Sequence, residues 1–257
     1  MRWLGLVLVL VGAAGGESPA LVHADRAWLS DKSWDDGAAV ISVFRGKLRW
    51  YGELRDAEIR HYAIREYPHP TKLTKMEPRD ASAVPVIKVN VLVSFNTGTY
   101  PYRQMCSLFI HREHGTLVKA TASSQDGCGV THKRFAGQTL SYDSYWGNEG
   151  VGEMKLTKNS DTFFPEELAF LSGILTGDTV DVLPSLLTSH LRGKRATGVE
   201  RTRNDRETKI GAMTYRHDKD RFLEGWTGPG GESFTRVSKK RLYYWEYTGN
   251  GDEERLK

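Results

Sequence analysis

The chain reads as mainly β: an antiparallel sheet curled into a barrel or half-barrel, with one α-helix packed against it. Three observations carry this expectation. From Val86 to Phe95 the apolar residues Ile87, Val89, Val91, Val93 and Phe95 alternate with positions that include Lys88, Asn90 and Ser94. That is the period of a strand with one face on a core. Turn residues recur at short intervals, and 26 Gly, 11 Tyr, 9 Phe and 7 Trp in 257 residues suit turns and pleated surfaces better than a helical bundle. Only residues 165–176 carry clear helical spacing. About nine to eleven strands are expected, a number that curls or closes rather than staying flat.

Taken in order, residues 1–24 stand apart. Arg2 precedes the apolar run Trp3–Ala14, which is too short to span a hydrocarbon core of ~30 Å comfortably. Val22-His23-Ala24 forms an A-x-A-like cleavage site before Asp25, with Ala14-Gly15-Gly16 as an earlier alternative. This is the pattern of a signal peptide; an uncleaved anchor is the other reading. No Cys lies near the end of the run, so no lipobox is present, and no later stretch is apolar enough for a membrane span. The expectation is therefore an exported protein, periplasmic or extracellular, with residues 25–257 as a single β-rich domain.

Val40, Ile41, Val43 and Phe44 predict a first strand that Arg45-Gly46 breaks or bends, and Tyr51–Glu66 a second that ends before Pro68. The proline-rich stretch 67–85 reads as a surface connection. Residues 86–129 read as three antiparallel strands, separated by the Asn96-Thr97-Gly98 and Tyr100-Pro101 turn residues and by a turn at 113–115, and ending at a tight Asp126-Gly127 turn. Thr139–Trp146 is a further strand. In the helix, Pro165 suits the first turn, Glu166 and Glu167 complement the dipole, and Leu168, Leu171 and Leu175 share a face before Gly177. Asp178–Leu187 turns extended again, and short strands with turn signals run to Lys240–Tyr247, where Tyr243, Trp245 and Tyr247 share a face.

A net charge of +4 and a basic excess over Arg192–Arg221 point to anionic envelope components, such as lipid headgroups or acidic polysaccharide, before nucleic acid. Interleaved acids make a solvated strand surface the plainer reading. Cys106 and Cys128 are the only cysteines, and an oxidising compartment permits a bridge. A hairpin turn at 113–115 places Cys106 opposite residue 122, so closing the bridge needs a curled hairpin or a bulge at Gly127; both outcomes stay open. His111, Glu113 and His114, with His132, resemble a metal cluster, but residues i and i+3 of a strand face opposite ways unless the turn bends them together. No metal and no cofactor is expected.

For catalysis, a hydrolase would have to draw on Ser124, Asp126 and His132 in one cleft, although the serine lies in no G-x-S-x-G elbow. Nucleotide-binding and metalloprotease motifs are missing. For binding, the small residues Ala120, Ala122 and Ser124 beside Tyr100, Tyr102, Tyr142, Tyr145 and Trp146 could shape a groove for a lipid or a glycan. The bland alternative fills the small-residue face with the helix and buries the aromatics in the core. A third reading is a structural or interaction module that pairs through a sheet edge.

The strings FNTGTYPYRQMCSLF (95–109) and VKATASSQDGCG (118–129) resemble a family of exported bacterial proteins of unknown function, marked by F-N-T-G-x-Y-P-Y and S-S-Q-x-x-C-G blocks. Trp34, Asp36 and Gly37, then Tyr51-Gly52-Glu53 and Ser144-Tyr145-Trp146, look like its other landmarks, so the likeness covers roughly 30–190. Gly127 stands where the family usually has a bulky residue, and Cys106 where its first block commonly has none. The resemblance implies an exported β protein with no established activity. Some members carry the label septum formation inhibitor Maf; true Maf proteins are cytoplasmic pyrophosphatases with an S-x-S-P-R-R-like motif, which is missing here. The strand pattern with one helix also looks like the open half-barrels of periplasmic lipoprotein carriers, a likeness of fold alone.

Overall fold

Alternation in the sequence becomes a meander of long strands. A computed structural model describes residues 23–76, 81–145, 149–187 and 195–243. After the short strand β1 (His23–Ala24), the helix α1 (Arg26–Leu29) and a 3-10 turn at Lys32–Asp36 come eight strands, each antiparallel to the next. They are β2 (Ala39–Trp50), β3 (Glu53–Glu66), β4 (Val86–Thr97), β5 (Tyr100–His111), β6 (Leu117–Gln125), β7 (Val130–Ala136), β8 (Thr139–Ser144) and β9 (Gly150–Lys155). The second half holds β10 (Thr162–Phe163), α2 (Pro165–Leu171), β11 (Leu175–Thr176), β12 (Thr179–Val182), β13 (Ala196–Arg203), β14 (Glu207–Ile210), β15 (Met213–His217), β16 (Leu223–Thr227) and β17 (Ser233–Leu242).

The last strand returns beside the first long one. β17 pairs with β2, so the two meanders join into one 15-stranded sheet that runs from β10 at one edge to β9 at the other. The sheet curls without closing, a half-barrel. No helix among the described residues is long and apolar enough to cross a membrane.

Register sets what the concave face carries. Directly paired residues share a face, so one row across the sheet reads Phe44, Ile59, Val93, Gln104, Ser124, Thr131, Ser144. The next reads Ser42, His61, Val91, Cys106, Ala122, Lys133, Tyr142. The first row runs from apolar to polar as it crosses from β2 to β8, while the second starts at Ser42 and His61, is apolar at Val91, Cys106 and Ala122, and turns polar again at Lys133. Helix α2 lies on this face, and its Leu168, Phe170 and Leu171 join Phe44, Leu108, Ala120 and Phe234 in one core. Each such side chain contributes roughly 1.5–3 kcal/mol on burial.

The expected three strands over 86–129 are all present, and Cys106 does stand opposite Ala122. Several boundaries differ. Gly46 does not break its strand: β2 runs through it, because a Cβ there would stand 1.9 Å from the Ser233 carbonyl of β17. Only glycine allows that approach, which draws the two halves of the sheet together. The helix stops at Leu171 rather than 176. Ser172–Ile174 tightens into a 3-10 turn whose Ser172 shares a hydrogen bond with His217 (2.9 Å) and accepts one from Thr208 (3.1 Å), after which Leu175–Thr176 becomes β11 and pairs with β1. These tertiary contacts override the leucine spacing.

His23 and Ala24 belong to the folded body. Ala24 is 2% exposed, and Asp25 donates to the Ile174 carbonyl at 2.8 Å. A boundary between Ala24 and Asp25 would part this short strand from its partner β11. The rest of the expected signal peptide lies outside the described residues, as do Trp146, Tyr244, Trp245 and Tyr247. The Cys106–Cys128 bridge is not formed. Cys106 points into the core, where burial pushes its thiol well above the usual range, and Cys128 lies in the exposed turn beyond the end of β6.

Candidate functional site

The polarity gradient on the concave face produces two adjoining cavities. The first, about 380 Å³, lies over β6–β8 and is lined by Ala122, Ser123, Ser124, Thr131, Lys133 and Ser144, with Arg49, Trp50, Tyr51 and Glu149 at its side. The second, about 400 Å³, lies between α2 and strands β2–β4 and β15–β17. Its walls are Leu48, Ile59, Val91, Val93, Ala169, Met213, Tyr215, Trp226 and Phe234, with His61, Gln104 and Glu166 as polar insertions. Leu187 and Glu232 line both cavities, so the pair forms one concavity with an apolar and a polar end. Each volume falls within the ~300–1,000 Å³ of small-molecule sites. A third depression, about 710 Å³, is lined by charges such as Arg45 and Glu58 that pair with each other at 3.1 Å.

A polar knot stands where the two cavities meet. Gln104 Nε2 donates to Ser124 Oγ (3.2 Å) and to the Leu187 carbonyl (3.2 Å). Glu166 Oε1 accepts from Ser185 Oγ (2.5 Å) and from the Leu187 amide (3.2 Å). The loop carrying Ser185 and Leu187 is thus pinned to β5 and to the start of α2. Gln104 Oε1 and Glu166 Oε2 are both buried without a partner. Nearby, burial lowers the Lys133 ammonium pKa, with Glu149 and Glu166 pulling against that shift. Burial alone holds His61 down to about 4, so its imidazole is neutral at pH 7.

Among the expected binding residues, the structure separates the small ones from the tyrosines. Ala122 and Ser124 line the polar cavity, while Ala120 is packed into the core. Tyr102 is buried, stacked on Phe95 at 4.8 Å, and its burial pushes its hydroxyl up to about 12. Tyr142 packs over Gly152, Tyr145 over Gly129 and Tyr100 over Gly127; these rings cover backbone and line neither cavity. The expected tyrosine groove is therefore corrected. The aromatics that do line the concavity are Trp50, Tyr51, Tyr215, Trp226 and Phe234. Trp50 ends β2 and Tyr51 follows it, while Tyr215, Trp226 and Phe234 sit on β15–β17, which the register of β17 against β2 joins to the first half of the sheet.

The residues of the hydrolase alternative do not converge. Ser124 faces the concavity, Asp126 Oδ1 caps its own turn by accepting from Cys128 N (2.6 Å) and Gly129 N (3.2 Å), and His132 is exposed on the other face of β7. One Ser–His hydrogen bond exists elsewhere, Ser172 to His217, but Ser172 is 0% exposed and lines neither cavity. The strand argument against His111 and His114 meeting also fails. His111 ends β5, the turn bends back, and the two rings lie 4.1 Å apart with Glu113 beside them. His111 Nδ1 accepts from Glu113 N at 3.2 Å, so of its two ring nitrogens only Nε2 is left to face a ligand.

No protein-family model, curated protein or solved structure matches the chain.

Proposed function

We propose that this is an exported binding protein without catalytic machinery, which holds an amphipathic lipid or glycan on the concave face of its half-barrel. The observation that carries the reading is the pair of cavities of opposite character that share Leu187 and Glu232. An apolar body fits between α2 and Trp226, while the polar head lies toward the junction of the two cavities, where Gln104, Ser124 and Glu166 stand. Export rests on the N-terminal apolar run and on the resemblance to an exported β family. Pairing through a sheet edge is the weaker reading, because β9 carries Glu153 and Lys155 along its length, charges that discourage strand addition.

The test combines native mass spectrometry of the purified protein with binding of a neutral fluorescent probe, N-phenyl-1-naphthylamine. Ala169 lies on α2 against the apolar cavity, so Ala169→Phe should fill it. The expected result is a co-purified amphiphile and probe binding in the parent, both lost in a variant with unchanged circular dichroism. Failure of the parent to bind either would overturn the reading.

A further inference from the structure

Two buried acceptors beside the apolar cavity have no donor. Gln104 is 3% exposed and Glu166 7%, and each keeps one oxygen without a donor. The amide of Gln104 cannot simply turn round: its Nε2 faces the Leu187 carbonyl, which accepts only, so the oxygen must be the orphan. Glu166 has used Oε1 on Ser185 and Leu187, which leaves Oε2. A buried acceptor left empty is destabilising, and more so when it is charged. Native structures rarely keep such groups without a reason.

Charge points the same way. The cavity is lined by two carboxylates, Glu166 and Glu232, and no Lys or Arg lines it among the described residues. His61, its one histidine, is held neutral by burial. Lys133, whose field reaches Glu166, lines the polar cavity instead and has contacts of its own. An anionic head would meet two like charges here, while an ammonium would meet acceptors.

Building on the binding function above, we infer that the ligand is an amphiphile whose head carries N–H donors, a primary ammonium on an apolar body, and that Glu166 and Gln104 receive it. Oε2 and Oε1 are buried, so reaching them requires the Ser185–Leu187 loop, which bonds both side chains, to ease outward. The inference concerns head chemistry only; the apolar walls set no particular chain.

The experiment compares four dodecyl compounds below their micellar concentrations, each displacing N-phenyl-1-naphthylamine from the full chain: dodecylamine, dodecanol, dodecyltrimethylammonium and laurate. Dodecylamine should bind about tenfold or more tightly than laurate and trimethylammonium, with dodecanol between, because a charge-assisted hydrogen bond needs both the charge and the N–H. Glu166→Gln and, separately, Gln104→Met should each shrink the preference of dodecylamine over dodecanol. Laurate binding as well as dodecylamine, or trimethylammonium matching it, would overturn the inference while leaving the binding function intact. No displacement by any of the four would instead remove the binding function itself. A preference for dodecylamine unchanged in both variants would overturn the assignment to these two oxygens.

Discussion

Helix α2 separates two regions built from the same residue types and finished differently. On its sealed side Glu167 accepts from Phe164 N (2.9 Å) and pairs with Lys158 at 3.1 Å, where both side chains are at most 6% exposed. His217 on that side is satisfied by Ser172. On the cavity side the adjacent Glu166 keeps an empty oxygen, and His61 stands among apolar side chains with the Phe44 ring 5.0 Å away. One acid and one histidine are completed by the fold; their counterparts line the cavity. Completed polar groups hold structure, whereas an incomplete one beside a cavity calls for an explanation of its own.

The largest effect should come from breaking the sealed side. Glu167→Ala strands the Lys158 ammonium in the core, and a buried charge robbed of its partner costs about 3–5 kcal/mol. Urea unfolding of the variant checks this. A loss under about 1 kcal/mol would mean that water reaches Lys158, and the contrast between the two sides would dissolve.

How much of this was legible in the sequence differs between the same two regions. Alternation in 86–95 reported the concave face correctly, since Val89, Val91 and Val93 are all buried. The small residues Ala122 and Ser124 did mark open space, because a short side chain on a curled sheet leaves room whatever lies opposite. Glu166, Gln104, Trp226 and Glu232 escaped, since their meeting depends on β17 docking against β2 across nearly the whole chain, and no local spacing encodes that pairing. Glu166 and Glu167 read as identical dipole partners; which one faces the cavity is fixed by packing. The tyrosines misled because rings that cover glycine backbone, as Tyr100, Tyr142 and Tyr145 do, or that stack in the core, as Tyr102 does, have the same composition as a binding groove. His111 and His114 misled in reverse, since strand geometry was applied to residues that straddle a turn.

His61 offers an intermediate effect. Burial holds its folded-state pKa at about 4, below the ordinary 6.5. Between those values the unfolded chain binds a proton that the folded chain refuses, so stability present above the window is lost as pH falls through it. His61→Leu should flatten the fall in unfolding free energy between pH 6.5 and 4 by roughly 1.4 kcal/mol per pH unit. His217, likewise lowered to about 4, supplies a parallel slope that the variant leaves in place. Denaturant titrations at several pH values would separate the two, and an unchanged slope would show that His61 already meets water in the cavity.

The smallest effect should be Glu166→Gln, and its smallness is the point. Glutamine can keep an oxygen for Ser185 and Leu187, the contacts Glu166 makes now. What it loses is the charge on an oxygen that no donor reaches, so stability should change by less than about 1 kcal/mol, with a gain as plausible as a loss. Glu167→Gln beside it weakens a buried ion pair and should cost clearly more. If the two substitutions proved equally damaging, Glu166 would be as structural as its neighbour, and the empty oxygen would hold no room for a ligand.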